Sequence, residues 1–334
     1  MSKYSIILPV KNGGKYLGEC IESILAQSLT DFDFIILENC STDNTLQIVS
    51  SYNDKRIKVF SSSVPLSMED NWRRVLDVSK NEFMTLIGHD DLLDSNYLQV
   101  MDDLISRYPD ATLFQSHFRY IDSDGREIGK CKPMREVQLP AEVIHNFFRN
   151  KTDLMGTGFM MRSEDYDQLG GIPSYPNLLF ADMQLFIELS RKSYFAVAQQ
   201  ECFSYRRHSA STTSSSADSR FVDAFGQLID YVSQLKIKDP LLGEVITIES
   251  SELLRQYCQS ITHKILRTPR KDRHSLSVNE VIIKFRKFAE ILGNKSFEPL
   301  NYKKIKIGKT IDDSQVLHWL FLGFKRVFPK PFLR

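Results

Sequence analysis

The stretch Phe83 to Leu98, FMTLIGHDDLLDSNYL, ends an apolar run with a histidine and two adjacent carboxylates, Asp90 and Asp91. Neighbouring carboxylates repel each other and must be solvated, hydrogen-bonded or bound to a cation. A hard divalent cation takes oxygen ligands and is one such partner. Gly88 stands two residues before Asp90. Another acid, Glu38, closes a second apolar run, and a short polar loop follows it into a helix start. Backbone N–H groups at a helix start favour anionic or polar ligand groups. Ser41, Thr42 and Asp43 in that loop read as capping residues, which leaves Glu38 in search of a ligand. Pro9, Lys11 and Asn12 follow a third apolar run, in PVKNGG.

These segments need a scaffold that brings strand ends together. YSIILPV, FDFIIL, RIKVFSS and EFMTLIG are short apolar runs rich in β-branched and aromatic residues and read as strands. Between them, KYLGECIESILAQSL, STDNTLQIVSSY and SMEDNWRRVLDVS carry helical spacing, the last with Ser67 as its cap. This alternation predicts a mostly parallel sheet flanked by helices. Ligands of such sheets bind beyond the carboxyl ends of the strands, so residues 9–12, 38–40 and 88–91 are expected on one rim. Further on, ATLFQSHFRYID, GTGFMMR and YFAVAQQECFSYRRH read as strands. SNYLQVMDDLISRY, SEDYDQLGG and ADMQLFIELSRKS read as helices. DSDG at residues 122–125 lacks the downstream acids of a calcium loop and reads as a β-turn. The segment SASTTSSSADS, Ser209 to Ser219, is a linker or a loop that closes over a ligand. Beyond it the signals are helical to the end.

Composition narrows the function classes. The 334 residues are 42% hydrophobic and 25% charged, with net charge +1. That balance is ordinary for a globular chain and argues against nucleic acid held by bulk charge. Five scattered cysteines without a CxxC pair suggest free thiols rather than a zinc site or disulfide framework. The opening segment reads as a strand rather than a secretory signal, and no apolar run approaches the roughly 20 residues needed to span a bilayer. A cytoplasmic location is expected. Residues 301–334 carry eight Lys/Arg against two Asp, interleaved with Trp319, Phe321, Phe324, Phe328 and Phe332. Such a tail suits docking on the inner face of an anionic membrane, packing on the rest of the chain, or a homo-oligomer contact.

Taken together, four segments carry a resemblance. They are SIILPVKNGGKYLGECIESILAQSLTDFDFIILENCSTDNT, SMEDNWRRVLDVSKNEFMTLIGHDDLL, GTGFMMRSEDYDQLGGIP and FADMQLFIELS with the later YRRHSAST. In this order and spacing the chain resembles the family 2 glycosyltransferases, which have the GT-A fold. The resemblance covers residues 3–213 and implies an α/β catalytic domain over 1–213, with a helical region over 214–334. It implies transfer of a sugar from a nucleotide-diphosphate sugar to a hydroxyl, with inversion, on a glycan or polyprenyl-linked acceptor in surface polysaccharide synthesis. By the same resemblance Pro9, Val10 and Asn12 line the nucleoside pocket, Glu38 holds the base, and Asn71 is a donor contact. Asp90 binds Mn²⁺ or Mg²⁺ on the diphosphate as the last acid of a DxD motif. Asp182 is the catalytic base. Arg206 and His208 contact the diphosphate or, for His208, the metal.

The sequence departs from the family pattern at four places. Gly88 stands for the first acid of DxD, His89 for its middle residue, Glu38 for an Asp, and Ala181 for the Glu of an ED pair. His89 is left open among a ribose contact, a metal ligand and a solvated side chain. Asp91 is expected to be a second metal ligand or, in preference, to cap the turn or the next helix, and Arg73 and Arg74 to be donor contacts by the resemblance or to lie on a solvated helix face. A nucleotidyltransferase and a binding module without catalysis remain as rivals. A dinucleotide oxidoreductase is disfavoured because no GxGxxG follows the first strand.

Overall fold

A computed structural model describes residues 2–208, 218–273 and 276–328. Most of the Ser209 to Ser219 segment and Phe332 of the tail therefore lie outside the described residues. The chain forms two compact units, residues 1–214 and 215–334.

The first unit is built on a ten-stranded sheet. Strands β1 (Tyr4–Val10), β2 (Phe32–Glu38), β3 (Ile57–Ser61) and β4 (Phe83–Leu86) come first in the chain. Also in the sheet are β5 (Leu92–Leu93), β6 (Leu113–Ile121), β7 (Glu127–Lys130), β8 (Val137–Gln138), β9 (Phe159–Arg162) and β10 (Phe195–Arg206). The order is β3-β2-β1-β4-β9-β6-β10-β5, with β7 on β6 and β8 on β10. β1 pairs in parallel with both β2 and β4, β2 with β3, and β6 with β10. β9 runs antiparallel between β4 and β6, so the six main strands share one direction. Every residue of β1 is buried, as expected for a parallel strand covered on both faces.

Helix α1 (Leu17–Leu25) buries Leu17, Cys20, Ile21 and Ile24, the spacing of one helical face. Each such aliphatic side chain contributes roughly 1.5–3 kcal/mol of hydrophobic stabilisation. α2 (Thr45–Ser50), α3 (Met68–Arg73) and α4 (Tyr97–Arg107) follow the first strands. α5 (Pro140–Phe148), α6 (Ser163–Gln168) and α7 (Ala181–Lys192) complete the unit. The chain leaves β1 toward β2 on one side and returns to β4 on the other. The carboxyl ends of β1 and β4 therefore flank the point where strand order reverses, where such sheets bind ligands.

The second unit is helical: α8 (Asp218–Lys238), α9 (Pro240–Arg267), α10 (Val278–Ile291), α11 (Lys303–Asp313) and α12 (Gln315–Val327). Phe225 anchors its core, with ring centroids 4.8 Å from Tyr257 and 5.2 Å from Phe285. A buried polar network joins Arg273, Asp312 and His318. The five cysteines are free, three of them buried.

Candidate active site

Two loops lock together at the carboxyl ends of β1 and β2. The Asn12 amide N–H donates to Ser41 Oγ at 3.0 Å, and Asn12 Oδ1 accepts from the Thr42 amide at 2.8 Å. The Gly13 amide donates to Thr45 Oγ1, and the Gly14 amide to Asp43 Oδ2, both at 2.9 Å. A β-carbon on Gly14 would lie 1.9 Å from Asn44 Oδ1 and 2.8 Å from Asp43 Oδ2, so a larger residue there would have to displace those side chains. Ser41, Thr42 and Asp43 thus brace the rim more than they cap a helix. Pro9 and Val10 are buried in β1. They close the strand that leads, through Lys11, to the rim residue Asn12. Asn12 stands at the rim but spends its carbonyl on the neighbouring loop.

Glu38 lies at the floor, 1% exposed, and its Oε1 accepts from the Ser41 amide at 2.6 Å. Among the described residues no donor reaches its Oε2. Asn71, expected as a donor contact, is also buried. It accepts from Arg74 Nη1 at 2.9 Å. Arg74 donates further to the carbonyls of Glu38 and Phe60. Asn71 and Arg74 therefore clamp the ends of β2 and β3, and Arg74 is not a solvated face residue.

The acids after β4 have separate environments. Asp91 is 1% exposed; its Oδ2 accepts from Thr157 Oγ1 at 2.5 Å and its Oδ1 from the Arg206 amide at 2.9 Å. Burial, reinforced by the charge of Asp90, pushes its pKa well above the ordinary carboxylate value. Asp91 is a buried joint of three chain segments rather than a helix cap. Arg206 is likewise 1% exposed. Its Nη2 pairs with Glu19 Oε2 at 2.7 Å, its Nε donates to the Asp90 carbonyl at 2.8 Å, and its plane stacks on Tyr16. A guanidinium committed this way supports the site from beneath, which corrects its assignment as a diphosphate contact.

Asp90 and His208 face each other, with Oδ2 and Nε2 2.8 Å apart. His89 is half-buried, and burial lowers its pKa. A β-carbon on Gly88 would lie 2.9 Å from Asp90 Oδ1 and 3.1 Å from Asp91 Oδ2. Gly88 thus makes room for the two carboxylates that follow it. Among the described residues no group of three or more His, Cys, Asp or Glu is placed to hold a metal ion. Two ligands at 2.0–2.1 Å on adjacent octahedral positions lie about 3 Å apart. The Asp90–His208 pair fits a cation whose other positions are filled by phosphate and water.

Asp182 comes from the first turn of α7. Three non-glycine residues ahead of it, Asn177, Leu178 and Phe180, hold left-handed backbone at φ 55°, 53° and 68°. Such strain persists only where surrounding structure enforces it. Asp182 Oδ1 accepts from the Met183 amide at 2.9 Å, yet burial dominates and raises its pKa to about 6. Gly156 lies beside Asp182, 3.8 Å from Oδ2 to the position a β-carbon would take. Its neighbour Thr157 holds Asp91. Burial and the charges of Asp91, Asp90 and Asp182 together raise the pKa of Tyr205. Gly156 and Thr157, adjacent in the chain, join the acid of α7 to Asp91 after β4. Sequence reasoning did not single out Tyr205, Thr157 or Glu19; the alternation of β10 and the glycines of GTGF were the available signals. A separate cleft of about 790 Å³, lined by Lys80, Glu82 and Arg162, opens at the amino end of β4. It shares no residue with this site.

The family model Glycosyl transferase family 2 matches residues 5–170. The chain belongs to glycosyl transferase family 2. Among curated relatives it is 27% identical over 123 residues to glycosyltransferase GlyG of Streptococcus pneumoniae, covering 36% of this chain and 41% of that one. It is 33% identical over 103 residues to the poly(ribitol-phosphate) beta-N-acetylglucosaminyltransferase TarS of Staphylococcus aureus, covering 30% of this chain and 18% of that one. The matches thus span less than half the length of these relatives. A crystal structure of S. aureus TarS 1-349 in complex with UDP-GlcNAc superposes with TM-score 0.60 at 15% identity, covering 92% of this chain and 91% of that one. The family 2 chain has the GT-A fold.

Proposed function

We propose that this family 2 chain is an inverting glycosyltransferase. It moves a sugar from a nucleotide-diphosphate sugar to a hydroxyl of a glycan or lipid-linked saccharide acceptor in bacterial surface polysaccharide synthesis. The observation that carries this reading is that consecutive residues link two acids: Gly156 lies against Asp182, and Thr157 donates to Asp91 Oδ2 at 2.5 Å. An acceptor hydroxyl is a weak nucleophile, and a carboxylate that takes its proton contributes about 10²–10⁴-fold. Burial makes Asp182 a stronger base than an exposed aspartate while leaving it mostly ionised at neutral pH. Its origin on α7, a different chain segment from the turn that carries Asp90, suits attack from the sugar face opposite the leaving group.

Asp90 and His208 would hold a divalent cation, Mn²⁺ or Mg²⁺, which when bound stabilises negative charge on the departing diphosphate. Asp90 is fixed for this task through its carbonyl by Arg206, and His208 through its approach to Tyr16, 5.2 Å between centroids. Glu38, with Oε2 unbonded among the described residues, is the polar group at the floor for the nucleobase. Support also comes from the relatives, several of which are named as glycosyltransferases.

The deciding experiment incubates the protein with a panel of nucleotide sugars and saccharide acceptors, with Mn²⁺, Mg²⁺ or chelator. Released nucleoside diphosphate and glycosylated acceptor are measured. Metal-dependent diphosphate release is expected. Pyrophosphate release would indicate nucleotidyl transfer, and donor binding without turnover across the acceptor panel would indicate a binding module.

A further inference from the structure

Helix α12 is inside out. Its buried residue is a histidine: His318 is 4% exposed, lies 3.0 Å from the Leu266 carbonyl and rests against the Arg273 guanidinium. Its large apolar side chains point the other way. Val316 is 67%, Trp319 72% and Val327 70% exposed, with Leu320 and Phe324 also open to solvent. Positions 316, 319, 320 and 327 recur at helical spacing and form one stripe. A stripe of this kind marks an interaction face rather than scattered exposure. Ser314 caps the helix, accepting from the Leu317 amide at 3.3 Å, so the element is defined at its start.

Charge selects the occupant. Lys303, Lys304 and Lys306 of α11 and Arg326 of α12 are exposed. The two acids of these helices are already neutralised, Asp312 by Arg273 in the interior and Asp313 by Lys309. The Lys325 ammonium lies over the rings of Phe321 and Phe324, 5.7 and 5.8 Å from their centroids, a posture in which the stem covers apolar surface. A second copy of the same face would bring like charges together. An anionic lipid surface complements both the apolar stripe and the cations. No described helix is long and apolar enough to cross a membrane, so α12 would lie in the interfacial plane.

We propose that the outward face of α12 docks the protein on anionic membranes, with Trp319 at the level of the lipid headgroups and the α11 lysines against them. This inference is independent of the transferase reading.

The test uses the full chain and sedimentation with vesicles of phosphatidylcholine containing about 30% phosphatidylglycerol, against pure phosphatidylcholine. Binding to the anionic vesicles, weakened by salt, is expected. The triple variant Trp319→Ser, Leu320→Ser, Phe324→Ser should lose at least about tenfold in binding. It should keep the wild-type thermal transition, because none of these side chains is buried. A second variant, Lys304→Glu with Lys306→Glu, should weaken binding to anionic vesicles and leave folding intact, which guards against misfolding of the first. Failure of the wild type to sediment with anionic vesicles overturns the proposal, as does equal binding by both variants. A concentration-dependent dimer dissolved by the triple variant, without vesicle binding, would reassign the face to self-association.

Discussion

At Asp182, burial holds the carboxyl near pKa 6, above the unfolded value of about 3.9. In the proposed base role Asp182 works only when ionised, so kcat/KM should fall about tenfold per pH unit below 6, as a pH–rate profile with saturating metal would record. The stability linkage runs the other way. Between about pH 4 and 6 the folded chain binds the extra proton, so this group's contribution to stability falls as pH rises through that window. Asp182→Asn keeps the acceptor for the Met183 amide and removes the buried charge. It should raise stability at pH 7.5 by about 1–3 kcal/mol in urea unfolding while cutting turnover about 10²-fold or more. A variant transferring at the wild-type rate would remove Asp182 from the base role. Asp91 gives a second case. Asp91→Asn can still accept from the Arg206 amide and pair with Thr157, and it too removes a carboxyl whose pKa is raised by burial, so stability at pH 7.5 is expected to be kept or raised. Its metal-dependent nucleotide binding should persist. Gly88→Ala would press on both carboxylates and should weaken Mn²⁺ binding by roughly 10–100-fold in a calorimetric titration.

At the scale of elements, Arg206 at the end of β10 ties that strand to α1 through Glu19 and to the turn after β4 through the Asp90 carbonyl. Arg206→Met would leave the Asp90 and Asp122 carbonyls without their donor, while exposed Glu19 returns to solvent, and should destabilise the first unit by about 1–3 kcal/mol. Glu19→Gln should lower the melting temperature with donor KM little changed, since Glu19 meets the site only through Arg206. Much of this layout was legible in the sequence. The strands carrying residues 4–10, 32–38 and 83–86 are continuous apolar runs, and parallel pairing follows from their alternation with helices. β5, β7 and β8 are two to four residues long and too short to show a period. The helix Pro140–Phe148 went unread although proline at its first position is a start signal. The tasks of Arg206, Asn71 and Asp91 depend on partners distant in sequence, which no local pattern encodes. Likewise α12 reads as an aromatic, basic tail, and only its packing reveals that the histidine faces inward.

At the scale of the molecule, the two units each have their own core: the sheet and its helices in one, the Phe225 cluster in the other. We expect residues 1–214 expressed alone to melt cooperatively and to bind a nucleotide donor with metal, as calorimetry would test. Loss of vesicle binding in that fragment is expected too, because α12 belongs to the second unit.

The tripeptide Gly156–Thr157–Gly158 touches in turn Asp182, Asp91 and β4, where the Gly158 amide donates to the Leu86 carbonyl at 2.8 Å. On the proposed reading it is a caliper between the end of the site that would receive the proton and the end that would hold the leaving group. A chain with one residue inserted there would keep both jaws but set them at the wrong gap. Donor would still bind, and the sugar would be held out of reach of its acceptor.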